Sequence, residues 1–264
     1  MILKHRVSLG GAQLDELDSR IIIAGIKESK PKETISTVSL MGGSGSRITG
    51  RHRDSIDVTV TFRLDIRKRD MEEREGLLEM IRGWAAGGGV LEVNYRPDRI
   101  LRVMCAENAE GGDPWEWTQD YSIVFRALGV PNWQTKTWAT GSTGTATSGR
   151  VYVDVPGNTK TVGEVTVKNM SGAVVNTVSV NFGEAHMVFN ALGLAANESL
   201  VIDHNNDGIL RLRIRNAGGS YRSAMAMRQS ISSDDLYVDP GRTLVTFSAQ
   251  RACQMTASCR GRFV

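Results

Sequence analysis

The segment Gly42-Gly43-Ser44-Gly45-Ser46 is the nearest thing in the chain to a nucleophile on a sharp turn. It falls one glycine short of the serine-hydrolase elbow, and no histidine stands at a recognisable spacing from it. It also fails the dinucleotide fingerprint, because Ile48 occupies the third glycine position. A flexible glycine turn is the plain reading. Asp203-His204-Asn205-Asn206-Asp207-Gly208 places oxygen ligands at positions one, three and five and then a glycine, as a calcium loop does. Position twelve is Ile214 where such a loop needs a bidentate glutamate, and the flanks read as strands. Asn-Asp-Gly between two apolar runs reads as a hairpin turn first and a weak calcium loop second. The acidic pairs Glu72-Glu73 and Asp234-Asp235 read as solvated surface. The first pair also suits the positive end of a helix dipole. His5, His52, His186 and His204 are far apart, with no i, i+4 spacing for a metal pair. No P-loop lysine motif occurs. Catalytic, cofactor-binding and metal-ligating residues are therefore expected to be none, and the chain is not expected to be an enzyme.

The remaining constellation is basic. Arg47, Arg51, His52 and Arg53 cluster beside a long alternating strand, and Lys27-Glu28-Ser29-Lys30-Pro31-Lys32-Glu33 is a charged stretch between two apolar runs. The cluster can touch phosphate, meet carboxylates of a neighbouring subunit, or simply face solvent. The lysine-rich stretch reads as an exposed loop or hairpin tip.

The elements that must position these residues follow from periodicity. Ile56, Val58, Val60, Phe62, Leu64 and Ile66 alternate with Asp57, Thr59, Thr61, Arg63 and Asp65, which predicts a strand with one buried face. Asp70 and Glu73 form a capping box for a helix whose stripe is Leu77, Leu78, Ile81, Trp84 and Ala85, stopped by Gly87-Gly88-Gly89. Arg96-Pro97-Asp98-Arg99 joins Val90–Tyr95 to Ile100–Cys105 as a hairpin. Further strands are expected at Arg20–Ile26, Thr34–Met41 and Asp120–Leu128. Later, strand-like runs recur at Arg150–Val155, Val162–Lys168, Val174–Asn181, Ala185–Phe189, Ser199–Asp203, Ile209–Arg215, Leu244–Ala249 and Gln254–Phe263, spaced as in a β-sandwich.

Between the two halves, residues 139–149 carry no charge and no large apolar side chain, which reads as a flexible linker. All five tryptophans precede it. Two domains are expected, 1–138 and 150–264. The fold class is mainly β: an N-terminal antiparallel β domain with one α-helix, then a C-terminal β-sandwich.

The 264 residues are 41% hydrophobic and 23% charged, as in globular proteins, which argues against wholesale disorder. A net charge of +3 is too balanced to make nucleic acid the default partner. No apolar run approaches a membrane span, and Met1-Ile2-Leu3-Lys4-His5-Arg6 lacks a secretory pattern. Cys105, Cys253 and Cys259 read as free thiols of a protein that folds in a reducing cytoplasm.

Taken in order, the first half resembles the N-terminal domain of siphophage distal tail proteins, the Dit hub of the tail tip. The likeness runs from the glycine turn and Arg47 through Ile56–Ile66 to the helix ending at Trp84 and the triple glycine. It continues through Leu91–Arg99 and Tyr121–Ala127 to Val130-Pro131-Asn132-Trp133. The second half resembles the galectin-like sandwich that many such proteins carry, through Glu198–Asp203 with its hairpin and Asp239–Phe247. The resemblance implies a structural virion protein of the phage tail tip, assembled in the bacterial cytoplasm. It would form a hexameric ring joining the tail tube to tip proteins, through which DNA would only pass. Lys27, Lys30, Lys32, Arg47, Arg51, His52 and Arg53 are then candidate contacts to neighbouring subunits or the tube. The alternative is a module binding host-surface glycans. Against it, no tryptophan follows Trp138, and Met187 and Val188 follow His186 where galectins have His-x-Asn-x-Arg.

Overall fold

The computed structural model describes residues 4–29, 33–39, 46–53, 55–66, 71–110, 120–129, 132–205 and 208–264. The chain divides into two units, Met1–Asn132 and Trp133–Val264. The first contains β1 (Val7–Leu9), β2 (Ala12–Gln13), α1 (Leu14–Leu17), β3 (Ile21–Glu28), β4 (Glu33–Ser39), β5 (Ser46–Arg53) and β6 (Asp57–Leu64). It continues with α2 (Met71–Ala86), β7 (Gly89–Val93), β8 (Arg99–Glu110) and β9 (Tyr121–Ala127).

The alternating run over Ile56–Ile66 is β6, with Val58, Val60 and Phe62 fully buried. It lies between β3 and β9 in an antiparallel sheet ordered β2-β1-β7-β8-β9-β6-β3. The helical stripe also appears as read: Leu77, Leu78, Ile81 and Ala85 of α2 are buried, and Trp84 meets Phe125 edge-on at 5.9 Å. Each large buried aliphatic here contributes about 2 kcal/mol over its exposed state. The helix ends where Gly88 takes φ 57° and its N–H bonds the Ala85 carbonyl. A Cβ at Gly88 would lie 2.6 Å from the Val103 carbonyl oxygen, so that stop is also a packing requirement. The expected Asp70 cap lies outside the described residues.

Three readings of the first unit change. Lys27 and Glu28 belong to β3, paired to Thr59 and Val58, and so do not sit in a loop or hairpin tip. The hairpin is instead formed by β4 and β5, which pair with each other as a separate two-stranded sheet. The segment 46–53, whose Arg47, Arg51, His52 and Arg53 read as a basic cluster beside the long strand, is itself a strand. It carries no alternating apolar set, which is the only strand signal periodicity can detect.

The second unit contains β10 (Trp133–Thr135), β11 (Ala139–Ser142), β12 (Ala146–Val155), β13 (Thr161–Asn169), β14 (Val178–Phe182) and β15 (Ala185–Phe189). Then come β16 (Ser199–His204), β17 (Leu210–Arg215), β18 (Tyr221–Ser223), β19 (Tyr237–Val238), β20 (Gly241–Cys259) and β21 (Arg262–Phe263). The sheet order is β15-β14-β20-β13-β16-β17-β18, with β11 and β12 also on β20 and β19 on β13. The two expected strands Leu244–Ala249 and Gln254–Phe263 are largely one, β20. Its first part pairs with β12 and β14, its second with β11 and β13. Gln250 and Arg251 are exposed where the strand passes from one group of partners to the other, and that break in alternation mimics a loop. Inward residues of both groups, among them Val153, Val167, Phe182, Phe189, Ile202 and Met255, share one buried cluster, as in a sandwich.

The flexible linker expected at 139–149 is not one. β11 pairs with β20 from Ala139 opposite Cys259 to Ser142 opposite Thr256, and β12 begins at Ala146. A Cβ on Gly141 would lie 2.7 Å from Val151 Cγ2, and one on Gly149 would lie 2.7 Å from the Phe247 ring. Small residues stand here because neighbours approach closely. Composition alone gives the same signal for a tight contact as for a free chain. The molecule is mainly β with antiparallel sheets, as its alternation predicts.

Candidate functional site

The β4–β5 ribbon leaves the first sheet between the ends of β3 and β6, and polar contacts fasten its root. Ser29 N–H donates to the Asp57 carbonyl at 2.8 Å, and Asp57 N–H donates to Ser29 Oγ at 2.8 Å. Arg126 grips the Asp57 carboxylate with two hydrogen bonds of 2.9 and 3.0 Å. The Glu28 carboxylate accepts from Arg96 at 3.0 Å and from the Tyr95 hydroxyl. Burial, reinforced by Glu28, pushes the Tyr95 phenol far above its ordinary range, so it stays a donor at any physiological pH. Charge-assisted and multidentate bonds are the strong ones, so they hold together the ends of β3 and β6 that lead into and out of the ribbon.

Along the ribbon the register runs from Glu33 opposite Arg53, through Ile35 opposite Arg51, to Ser39 opposite Ser46. Ser36 pairs with Gly50 but Thr37 with Ile48, so Thr49 is an extra residue. Such a bulge reverses the alternation. Positions 51 and 53 therefore share one face of the ribbon, and positions 47 and 52 share the other. The four basic positions that sequence groups together are divided between two faces. Lys27 is exposed on β3, and Lys30 and Lys32 lie outside the described residues. Ile35 is an exposed aliphatic on β4. Among the described residues β4 and β5 pair only with each other, leaving an open edge on each side. An isolated two-stranded ribbon is at best marginally stable in water.

The other chemical candidates are used internally. The Asp203 carboxylate, the first expected calcium ligand, accepts from Arg211 at 3.1 and 2.8 Å and also from Arg213. Asn205 closes the loop on itself, its Oδ1 accepting from Ile209 N–H at 2.8 Å, while residues 206 and 207 lie outside the described set. His204 Nε2 meets Asp235 at 2.7 Å, both nearly buried, while Asp234 is fully exposed beside Arg228. Glu73 pairs with Arg20. Cys105, Cys253 and Cys259 are free thiols, and burial pushes Cys259 up to about 11. Among the described residues no three His, Cys, Asp or Glu side chains converge as a metal site would require.

Sequence reasoning missed the root residues Glu28, Asp57, Tyr95, Arg96 and Arg126. The usable signal was the acid on one segment matched by base on another, but pairing them requires the strand order.

No protein-family model and no curated protein matches the sequence. Among solved structures the chain is similar to the SPP1 Dit (gp 19.1) protein, described as a paradigm of the hub adsorption apparatus in phages infecting Gram-positive bacteria. The TM-score is 0.67 at 14% identity, over 98% of this chain and 99% of that one. It is also similar to a chain of the phage P2 baseplate in its activated conformation with Ca, with a TM-score of 0.51 at 9% identity over the whole of both chains. The fold is Dit-like.

Proposed function

We propose that this chain is a structural hub at the distal end of a siphophage tail. Copies close into a hexameric ring that joins the tail tube to tip proteins, the first unit forming the ring and the second unit being a galectin-like sandwich. The observation that carries the reading is the β4–β5 ribbon, anchored at its root and open along both edges, within a fold similar over nearly its full length to a phage hub protein. A heterologous contact that closes on rotation makes a ring. A ribbon laid against the next subunit supplies backbone hydrogen bonds without any catalytic group. Positions Arg47, Arg51, His52 and Arg53 then face a neighbouring subunit or the tube, divided between the two faces of the ribbon. Carbohydrate binding by the second unit has no observation of its own in its favour and is not part of the proposal.

The test is solution mass by light scattering, with negative-stain imaging, on the full chain and on a variant with residues 34–52 replaced by a short Gly-Ser link. The full chain is expected to form closed rings. The variant, which keeps Glu28, Ser29 and Asp57, is expected to be a folded monomer whose association is weaker by about a hundredfold, the worth of two or three interface hydrogen bonds. A full chain that stays monomeric at high concentration, or a variant that still closes rings, overturns the proposal.

A further inference from the structure

The path β15-β14-β20-β13-β16-β17-β18 through the sheet of the second unit, from which β11, β12 and β19 branch, ends in β15 and β18, and these two ends are finished in opposite ways. Along β15 every outward group has a partner from the segment that follows. Ser233 N–H donates to the His186 carbonyl at 2.7 Å, and His186 N–H donates to Ser233 Oγ at 3.0 Å. Gln229 N–H donates to the Val188 carbonyl at 2.8 Å, and Val188 N–H donates to Ser232 Oγ at 2.9 Å. That edge is sealed against further strands, the usual provision against unwanted pairing.

Among the described residues the ladder at β18 leaves the edge open. Asn216 N–H bonds the Ser220 carbonyl and Ala224 N–H bonds the Leu212 carbonyl, and Ile214 pairs with Arg222 between them. Antiparallel pairs alternate, so the N–H and C=O of Tyr221 and Ser223 point away from β17. All three residues of β18 are exposed. Beside them lies a cleft of about 320 Å³ lined by Arg211, Arg213, Tyr221, Arg222 and Met225 among others. Arginine side chains at an edge can themselves blunt it, but these are turned back onto their own sheet. Arg213 stacks 4.1 Å from the Tyr221 ring centroid and bonds Asp203, as does Arg211. Arg222 is tied to the Gly193 carbonyl at 2.8 Å and to Glu198 at 3.0 Å. Counting exposed Arg215, four guanidinium groups stand against three carboxylates, Asp203, Glu198 and the Glu164 beside Asp203, so the edge carries a small positive excess centred on Arg215.

We propose that β18 is a docking edge that takes up an acidic, extended peptide segment as an added strand. Main-chain bonds to Tyr221 and Ser223 supply the affinity, and the arginines supply the preference for acid. This surface is separate from the β4–β5 ribbon, so it stands or falls independently of ring formation.

The test uses the full chain and fluorescence anisotropy of a short labelled peptide alternating Thr and Glu. Controls are its Lys counterpart and a version N-methylated at alternate residues. The Glu peptide is expected to bind, and the Lys peptide to bind at least about tenfold more weakly. N-methylation is expected to weaken binding by about tenfold, as is Ser223→Pro, which removes an N–H that β17 does not use. Arg215→Glu, on an exposed side chain, is expected to lower affinity by about fivefold and flatten the salt dependence. Hydrogen exchange is expected to show new protection at Tyr221–Ser223. Absence of binding overturns the proposal. So does equal affinity for the N-methylated peptide, which would mean a polyanion on the arginines and no strand pairing. A change in ring mass for Ser223→Pro also overturns it, by assigning the edge to contacts between copies.

Discussion

Asn169 is fully buried at the end of β13, and its side chain ties two loops together. Its Nδ2 lies within hydrogen-bond distance of the carbonyls of Ala173, Leu194 and Ala195, at 2.8, 2.9 and 3.1 Å, and its Oδ1 accepts from Ser171 N–H and Oγ. Asn169→Ala removes this network and leaves Ser171 N–H without its acceptor, while Ala173, Leu194 and Ala195 keep second donors in Ser171 Oγ and the N–H groups of Val175 and Glu198. A loss of about 2–4 kcal/mol is expected in urea unfolding, with the fold otherwise intact. Glu164 shows the opposite economy. Burial pushes its carboxyl above its ordinary value of 4.5 and neighbouring Asp203 adds to the effect, offset in part by His204 and Arg260. A carboxyl whose folded pKa is raised costs stability once the pH exceeds that pKa, and costs nothing below 4.5, where both states are protonated. Glu164→Gln is therefore expected to raise the melting temperature at neutral pH, the gain fading as the pH falls through the raised pKa toward 4.5. A gain that persists unchanged at low pH contradicts the assignment. Neither residue carries a sequence signal: an asparagine after a strand and a glutamate within one are ordinary until their neighbours are known.

Elements with a buried face were legible, because alternation and helical stripes record burial directly. β6, α2, the β7–β8 hairpin, β9 and most strands of the second unit fall where the pattern puts them. Elements whose contacts are made by backbone or by small residues were not. β5 lacks an apolar set, and β11 reads as linker because Gly141 must pass Val151 closely. Gly163 makes the same point inside β13. A Cβ there would lie 2.3 Å from the Phe182 ring of β14, so the absent side chain sets how closely these strands pack. Gly163→Ala is expected to cost about 2–3 kcal/mol. Combined with Phe182→Leu it should cost clearly less than the sum of the two single changes, because one clash is then counted twice. Strict additivity in thermal or denaturant unfolding would separate Gly163 from Phe182.

At the scale of the molecule, two units each carry strands of a mainly antiparallel fold, and the strands proposed to meet partners are the β4–β5 ribbon in the first and the β18 edge in the second. The candidate basic residues stand in sequence as one cluster. Their division between two faces depends on the extra residue at Thr49, which only the strand register reveals. The loop expected around Lys27 moved for the same reason. Its charges suggested exposure, yet Lys27 and Glu28 are strand residues, and Glu28 holds Arg96 and Tyr95 where the ribbon begins.

Periodicity and composition were enough to establish the class of fold, the helix and its stop, and the absence of any recognisable catalytic motif. Each of these is a property of neighbours along the chain. Which acid meets which base, which glycines are contacts, and which strand edges are sealed or left open depend on residues far apart in sequence. Those were decided only when the strands took their order, because a backbone hydrogen bond or a close approach leaves no trace in side-chain type.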